Sequence, residues 1–223
     1  MILSYKSHQP IEIKSGKISV IGTNSPEIYT ELINGLQDFN DELTLTDDVY
    51  QSLEIKKFID FDSVALLTHK LLEKYSKDVI NAVVKSMTEE SQNRVNDEIR
   101  QLYSVLQEAL FMTDLPLEIQ YDGELKRLLS YCHMKLAFNN SMKPYDIIIN
   151  DLKIHLECDL KSVVCLNNVA NYLSKAEFGD LLVEVQAMNL PLLLVEFTEL
   201  KQCDFYQNAE GLFIDQDFVD WKL

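Results

Sequence analysis

The sequence contains one long stretch, from Asp62 to Met112, that has neither glycine nor proline. Within it, apolar residues recur every three or four positions, which is the spacing that places side chains along one face of an α-helix. A first run comprises Val64, Leu67, Leu71, Tyr75, Val79, Ala82 and Val83, and a second comprises Val95, Ile99, Leu102, Leu106, Ala109 and Leu110. The stretch therefore predicts two amphipathic helices, and the fold must bury both of their apolar stripes.

A polar segment separates the two predicted helices and indicates a turn. Ser86 and Glu89 have the spacing of a capping box, which begins a new helix. At about 1.5 Å per residue, each helix would be on the order of 35 Å long, which is more than a compact domain of this size needs. We therefore expect residues 62–122 to form an antiparallel helical arm, whose stripes pack against each other or against a neighbouring subunit.

The sequence on both sides of the arm alternates short apolar runs with amphipathic segments. The near-continuous apolar runs at 163–166 and 192–195 are typical of strands covered on both faces in a parallel sheet. We therefore predict an α/β fold. Residues 1–61 and 123–223 would form a discontinuous head domain, a degenerate P-loop-NTPase-like body with a mainly parallel sheet, and the long antiparallel helical arm would interrupt it.

The composition is that of a globular protein, with 223 residues of which 47% are hydrophobic. We expect a cytoplasmic protein without a membrane partner, because the sequence has neither a long apolar run nor a signal-peptide pattern at its start. The four cysteines, Cys132, Cys158, Cys165 and Cys203, include no C-x-x-C pair, and we expect them to be reduced and buried. The net charge of −16 argues on average against nucleic acid, although lysines can still line one cavity of an acidic protein.

The segment from Gly22 to Pro26 joins a predicted strand to a predicted helix, with Ser25 as N-cap and Pro26 at the first helical position. This is where a P-loop protein holds phosphates, but the segment lacks the G-x-x-x-x-G-K-[ST] pattern, and the sequence contains no lysine between Lys17 and Lys56. We therefore favour a plain βα turn over a phosphate site.

Other signs of catalysis are weak. The predicted strand at 161–166 ends in Asn167 and Asn168, whose amides carry no charge to hold magnesium, and Glu196 reads as a solvated carboxylate at a strand end. The histidines are scattered without zinc-site spacing, and no G-x-S-x-G elbow is present. We therefore predict no enzyme activity and no nucleotide cofactor.

Two groups of charged residues remain as candidate sites. The acidic group lies where the arm rejoins the body and comprises Glu108, Asp114, Glu118, Asp122 and Glu124. Such oxygens could bind calcium, although a solvated acidic hinge is the simpler interpretation. The basic group comprises Lys126, Arg127, Lys135, Lys143, Lys153 and Lys161, with Lys56 and Lys57 beside the base of the arm. These residues could contact phosphates without reading bases, or they could be ordinary surface lysines in salt bridges.

Local sequence phrases add a family resemblance. They are FDSVA at 61–65, VVCLNNVANYL at 163–173 before a helix capped by Ser174 and Glu177, LLLVE at 192–196 and FIDQDF at 213–218. Together with the order of elements, they make the chain resemble the type II-A CRISPR-associated spacer-acquisition (adaptation) protein, the Csn-two family.

This resemblance implies a non-enzymatic, homotetrameric ring that takes double-stranded DNA, particularly free ends, through a lysine-lined channel. It also implies that calcium supports the arm and that the CRISPR integrase proteins and the effector nuclease are partners. Among the lysines, Lys135 matches a family lysine best, followed by Lys126, Arg127 and Lys143. Two alternatives stay open: a nucleotide-binding P-loop-like switch, and a protein-assembly scaffold without DNA contact.

Overall fold

The structure is a computed structural model, and it describes residues 1–61, 71–120, 122–136 and 143–223. The chain divides into two compact units, which we call the sheet unit (Met1–Leu71 with Phe138–Leu223) and the helical unit (Leu72–Ala137). Among the described residues, none of the helices combines the length and the apolar character that crossing a bilayer requires.

The elements of both units follow the chain in this order. The strands are β1 (Ile2–Tyr5), β2 (Ile11–Glu12), β3 (Ile18–Thr23), β4 (Leu43–Thr46), β5 (Ser52–Leu53), β6 (Ile59–Phe61), β7 (Val163–Asn167), β8 (Leu192–Phe197), β9 (Glu210–Ile214) and β10 (Asp220–Lys222). The helices are α1 (Pro26–Leu36), α2 (Ile55–Phe58), α3 (Leu71–Lys74), α4 (Ser76–Ser86), α5 (Glu89–Leu110), α6 (Leu125–Tyr131), α7 (Pro144–Glu157) and α8 (Lys175–Met188). Two short 3-10 helices, Val169–Asn171 and Leu200–Tyr206, follow β7 and β8.

The described part of the sheet unit contains a six-stranded sheet in the order β10-β9-β3-β8-β7-β6. All neighbouring pairs from β9 to β6 are parallel, and β10 runs antiparallel to β9 at one edge. Ile21 of β3 lies opposite Val195 of β8 and Leu212 of β9. The predicted α/β fold with a mainly parallel sheet is confirmed. A second, antiparallel sheet has the order β2-β1-β4-β5.

Side chains on the two faces of the large sheet enter two hydrophobic cores. On one face, Leu193 and Val195 pack with α1 and with the smaller sheet. On the other face, Leu192 and Leu194 pack with α7 and α8. All four side chains are at most 1% exposed, so β8 is covered on both faces, as its uninterrupted apolar sequence indicates.

In the sheet unit, α1 and α8 begin at the capping residues that the sequence indicates. Ser25 caps α1, because its Oγ accepts a hydrogen bond from the Ile28 N–H, and Pro26 occupies the first turn. Ser174 and Glu177 form a complete capping box at the start of α8. Both predictions from the sequence are confirmed, since each depends on residues only a few positions apart.

The helical unit corrects the predicted turn between the two long helices. Ser86 is the last residue of α4, and its Oγ donates to the Val83 carbonyl oxygen at 2.8 Å. Thr88, not Ser86, caps α5: its Oγ1 accepts a hydrogen bond from the Ser91 N–H at 3.2 Å. The predicted Ser86–Glu89 capping box is therefore wrong, because α4 extends through the serine that was expected to start the next helix.

The predicted arm is described only in part. Residues 62–70, where it was expected to begin, lie outside the described residues, and the helical unit continues beyond 122 to Ala137. Helix α3 ends at Lys74 and α4 begins at Ser76, so the expected first helix is divided at Tyr75. The boundaries of 62 and 122 for an arm domain stay a prediction.

Candidate functional site

Three neighbouring strands of the large sheet end side by side in the sheet unit: β3 at Thr23, β8 at Phe197 and β7 at Asn167. Open α/β sheets bind ligands in the crevice beyond the carboxyl ends of their parallel strands. This edge is therefore the first place to look for a site, and its side chains determine what it can hold.

The loop between β3 and α1 is short and its polar groups are used internally. Only Asn24 and Ser25 separate Thr23 from Pro26. The Thr23 Oγ1 accepts a hydrogen bond from the Ser25 N–H at 3.0 Å, and the Ser25 Oγ caps the Ile28 N–H at 3.4 Å. Pro26 has no N–H to offer. The first turn of α1 therefore lacks the row of free N–H groups that a phosphate site needs.

Tyr29 of α1 connects the loop to the ends of the neighbouring strands. Its hydroxyl oxygen accepts hydrogen bonds from the Asn167 Nδ2 at 2.9 Å and from the Asn168 Nδ2 at 2.7 Å. The Asn168 Oδ1 in turn accepts from the Phe197 N–H at 2.8 Å, and the Tyr29 ring packs edge-on against that of Phe197. Together these residues close the carboxyl edge of β7 and β8 against α1. Tyr29 could not be identified from the sequence, because a tyrosine in an amphipathic helix resembles any other core residue.

Glu196 corrects a second expectation. The side chain is not solvated at the strand end but is 1% exposed. It accepts hydrogen bonds from the Tyr206 hydroxyl at 2.5 Å and from the Val169 N–H at 2.9 Å. Burial raises the pKa of Glu196 to about 7, although these hydrogen bonds lower it in part. The prediction failed because Leu200–Tyr206 folds back over the end of β8.

His155 of α7 is buried, which the spacing of the histidines in the sequence does not indicate. It is 2% exposed, and its Nδ1 lies 3.0 Å from the Asp151 carbonyl oxygen, which accepts the hydrogen bond, and 3.4 Å from the Asp151 Oδ1. Its Nε2 lies 3.5 Å from the Asp60 Oδ2. Burial opposes its charge, but hydrogen bonds to Asp151 and Asp60 outweigh this effect and raise the pKa of His155 to about 9. The Ser162 Oγ lies 3.3 Å from Nε2, which resembles a Ser-His-Asp arrangement.

His155, Asp151 and Asp60 form a group of opposite charges, which we call the His155 triad, and they do not activate Ser162 as a nucleophile. A general base must be unprotonated to take a proton from a hydroxyl group. With a pKa of about 9, His155 is an imidazolium at neutral pH and cannot activate Ser162. The triad instead links α7 to β6 through Asp60 and to the start of β7 through Ser162.

The six predicted DNA-binding residues fall into two classes. Lys56 pairs with Asp38 at 3.0 Å, Lys57 pairs with Glu54 at 2.8 Å, and Arg127 pairs with Asp122. The other three, Lys126, Lys135 and Lys143, are exposed and have no acidic partner within ion-pair distance among the residues that the structure describes. Lys126, Lys135 and Lys143 are therefore the ones available to an external anion.

These six residues do not form one cluster within either unit. Lys56, Lys57 and Lys143 belong to the sheet unit, whereas Lys126, Arg127 and Lys135 belong to the helical unit. Lys143 precedes α7, and its N–H donates to the Asp146 Oδ2 at 3.1 Å. A common DNA-binding surface of the six residues stays a prediction.

The five predicted calcium ligands are all exposed, and their best-defined contacts are local. They are Glu108, Asp114, Glu118, Asp122 and Glu124. The Asp122 Oδ1 accepts from the Glu124 N–H at 3.0 Å, and its Oδ2 accepts from Arg127. Across 1–61, 71–120, 122–136 and 143–223, no three histidine, cysteine or acidic side chains are arranged to hold a metal ion. Calcium binding at this segment stays a prediction.

The cysteines differ from the expectation that all four are buried. Cys165 in β7 is buried, but Cys132 is exposed, and Cys158 and Cys203 are half-buried. None of the four forms a disulfide bond. Burial raises the pKa of Cys203 to about 11 and that of Cys165 well above its ordinary value, so neither is a reactive thiolate at neutral pH.

Comparison of the sequence with protein-family models and with curated proteins finds no match. Among solved structures, the fold is similar to that of Stu0660 of Streptococcus thermophilus, with a TM-score of 0.54 and 14% sequence identity over 100% of this chain and 76% of that one. A nucleotide-free ATP-binding cassette from an ABC transporter gives a TM-score of 0.47 and 11% identity over 99% of this chain and 88% of that one. The ADP conformation of MJ1267, an ATP-binding cassette of an ABC transporter, gives a TM-score of 0.45 and 10% identity over 95% of this chain and 84% of that one. At these identities the likeness concerns the fold alone.

Proposed function

We propose that this protein is a non-enzymatic, double-stranded DNA-binding protein that supports new spacer acquisition in type II-A CRISPR immunity. In this proposal it grips DNA ends without reading sequence, through a basic central channel in a homotetrameric ring, with calcium supporting the arm. The CRISPR integrase proteins and the effector nuclease are its partners in that process. The observation that carries the proposal is that Lys126, Lys135 and Lys143 are exposed and have no acidic partner among the described residues. The closed carboxyl edge of β3, β7 and β8 argues against the nucleotide-binding alternative.

The closed edge supports a degenerate P-loop-NTPase-like body. A P-loop protein offers free N–H groups at the start of the first helix, a lysine for the phosphates and a carboxylate for magnesium. Here the Ser25 hydroxyl caps the helix, Pro26 lacks an N–H, and the amides of Asn167 and Asn168 bind the Tyr29 hydroxyl. This arrangement lacks the groups with which a P-loop protein binds and hydrolyses a nucleotide. It therefore favours a DNA-binding protein without hydrolysis and argues against the alternative of a nucleotide-binding switch.

The free lysines support contact with a polyanion. Lys126, Lys135 and Lys143 are exposed and have no acidic partner among the described residues, so binding a phosphate breaks no existing ion pair. Lysine supplies charge without the fixed geometry that reads base edges, which suits sequence-independent binding. Three lysines on a chain of net charge −16 give weak binding. Several copies around one axis would add their fields within a channel, and the acidic exterior would repel DNA.

Exposed apolar residues on helix α5 support the assembly of several copies of the chain. Its Leu102, Val105 and Leu106 are 54%, 62% and 44% exposed, although a helix stripe of this kind is normally covered. A neighbouring copy of the chain would bury them. The same exposed residues also favour the second candidate, a protein-assembly scaffold without DNA contact, so the function must be tested through the lysines rather than through assembly alone.

The deciding experiment measures DNA binding by charge-reversed variants. We expect the protein to shift linear duplexes more strongly than closed circles, with an affinity that falls steeply as salt rises. The K126E/K135E/K143E variant should lose at least about tenfold in affinity, because each phosphate contact contributes to the salt-dependent term. K56E/K57E is the control for charge reversal at lysines that already face Asp38 and Glu54, and it should bind nearly as well.

Solution mass with and without calcium completes the test. A ring requires an assembled species, and calcium should favour it if the acidic segment binds the ion. Assembly without any DNA binding by the wild type would support the scaffold instead. A monomer under every metal condition, or equal binding by both charge-reversed variants, would contradict the proposal.

A further inference from the structure

The end of β8 contains a carboxyl group that joins two short segments from different parts of the chain. Glu196 is 1% exposed, and it binds the Val169 N–H on one side and the Tyr206 hydroxyl on the other. Val169 begins the 3-10 helix that follows β7, whereas Tyr206 ends the one that follows β8. A single side chain therefore holds both segments at the carboxyl edge of the sheet.

The Leu200–Tyr206 segment has few other attachments. Leu200, Lys201, Gln202 and Asp204 are exposed. The segment is anchored by Phe205 and Tyr206, whose rings pack on Phe178 of α8 at centroid distances of 4.9 and 5.7 Å. Short exposed segments of this kind belong to the least stable parts of a fold and open before it unfolds.

We propose that Glu196 is a proton-dependent latch: its protonated carboxyl group holds the Leu200–Tyr206 segment closed over the end of β8, and loss of the proton lets the segment open. In the closed form, the buried group has no cation beside it among the described residues, and the proton of the protonated carboxyl group is shared between Oε2 and the Tyr206 hydroxyl oxygen, 2.5 Å apart, while Oε1 accepts from the Val169 N–H. The titratable groups that face it are Tyr206 and Cys165 of β7, neither of which supplies positive charge. Opening allows water to solvate the carboxylate, which is the state that burial disfavours.

The direction of the effect follows from the two protonation equilibria. Burial raises the pKa of Glu196 to about 7 in the closed form, whereas its ordinary value is 4.5. The open form therefore releases the proton more readily, so opening becomes more favourable as pH rises from about 4.5 and levels off above about 7. This linkage predicts that the opening constant increases on the order of 50-fold between pH 5 and pH 8.

The latch also reaches the closed edge near Tyr29. Glu196 fixes the turn that carries Asn168, because it binds the N–H of the next residue, Val169. The Asn168 side chain bonds both to the Tyr29 hydroxyl and to the Phe197 N–H. Opening of the Leu200–Tyr206 segment would therefore admit water next to the turn that carries Asn168.

Amide hydrogen exchange of the whole chain between pH 5 and pH 8, corrected for the intrinsic pH dependence of exchange, tests the latch. In the wild type, peptides covering 199–207 should show the opening constant rise with pH, while peptides from β3 should not. In E196Q, which keeps the size of the side chain and can accept from Val169, the rise should disappear. Asp204→Asn, an exposed neutralisation within the same segment, is the matched control and should retain it.

Each outcome decides for or against the latch. A flat wild-type profile over 199–207, the same rise in E196Q, or a rise shared by the entire sheet unit would overturn it. If E196Q does not fold, Tyr206→Phe provides an independent test, because it keeps the carboxyl group and removes the hydroxyl that holds the segment. Opening of 199–207 should then be greater than in the wild type at every pH, and an unchanged opening constant would overturn the proposal.

Discussion

The Asn168 Nδ2 lies 2.7 Å from the Tyr29 hydroxyl oxygen, across 139 positions of sequence. Asn168 has a left-handed backbone conformation, with a φ of 54°, which asparagine tolerates better than most residues. The turn after β7 thus directs the amide towards α1, where Asn167 also donates to the same oxygen. In this way Tyr29, Asn167 and Asn168 close the carboxyl edge of the sheet with neutral side chains.

Replacing Tyr29 by Phe removes the oxygen that both amides share. The Asn167 and Asn168 amide groups would be left without this acceptor in a half-buried position, so we expect the sheet unit to lose about 1–3 kcal/mol of stability. Chemical denaturation of the purified variant measures the loss. Tyr50→Phe is the control, because Tyr50 is 78% exposed, and it should be neutral. Equal stability of Y29F and the wild type would show that these hydrogen bonds do not hold the edge.

The sequence predicted those parts of the fold that depend on neighbouring residues. Ser25 with Pro26 and Ser174 with Glu177 start α1 and α8 as expected, because caps act within one helical turn. The same local spacing at Ser86 and Glu89 was wrong, because α4 continues through Ser86 and Thr88 caps α5. The apolar run of β8 likewise indicated a strand buried on both faces.

The surroundings of Glu196 and His155 could not be predicted in this way. Glu196 is covered by Tyr206, which lies ten positions later, and His155 pairs with Asp60 from a distant strand. A sequence pattern contains no record of which distant side chain covers a polar group. The candidate lysines illustrate the same limit, since only the structure separates Lys56, paired with Asp38, from Lys143, which has no such partner among the described residues.

The His155 triad predicts a loss of stability at alkaline pH. The pKa of His155 is raised from 6.5 to about 9 in the folded protein, because Asp151 and Asp60 outweigh the opposing effect of burial. The stabilisation is therefore fully present below about pH 6.5 and is lost as pH rises through about 9, and its full size is about 3 kcal/mol. Denaturation measured from pH 6 to pH 10 should show this decline.

A matched pair of variants assigns the alkaline loss to the triad. His155→Gln should be destabilised at pH 6 and should lack most of the decline, because the neutral amide leaves two carboxylates without a cation. His133→Gln changes an exposed histidine and should behave as the wild type. A decline of the same size in H155Q would place its origin elsewhere in the chain.

Asp220 connects two segments from opposite ends of the sequence. Its Oδ1 lies 2.6 Å from the His8 Nδ1, and its Oδ2 accepts from the Gln9 N–H at 2.9 Å. The His8 ring also stacks between Tyr5 and Phe218, so the turn after β1 is held against the segment that leads into β10. Asp220→Ala should cost about 1–3 kcal/mol and increase amide exchange in β10 and at residues 7–9. The exposed Asp217→Ala is the control, and equal exchange in both variants would contradict the connection.

Helix α5 exposes apolar residues through which copies of the chain could assemble. Val105 and Leu106 are exposed on a helix whose most buried side chain among the described residues is Ile99, so charges at the two positions should not unfold the chain. If copies of the protein bury this face against one another, V105E/L106E should reduce the mass measured in solution, because a buried carboxylate without a partner is strongly disfavoured. Circular dichroism should remain that of the folded wild type. The control is Gln101→Glu/Ser104→Glu, which adds two charges at exposed polar positions of the same helix. An unchanged mass for V105E/L106E would exclude this face of α5 from the subunit interface, and an equal loss in both variants would indicate general charge repulsion rather than a specific apolar contact.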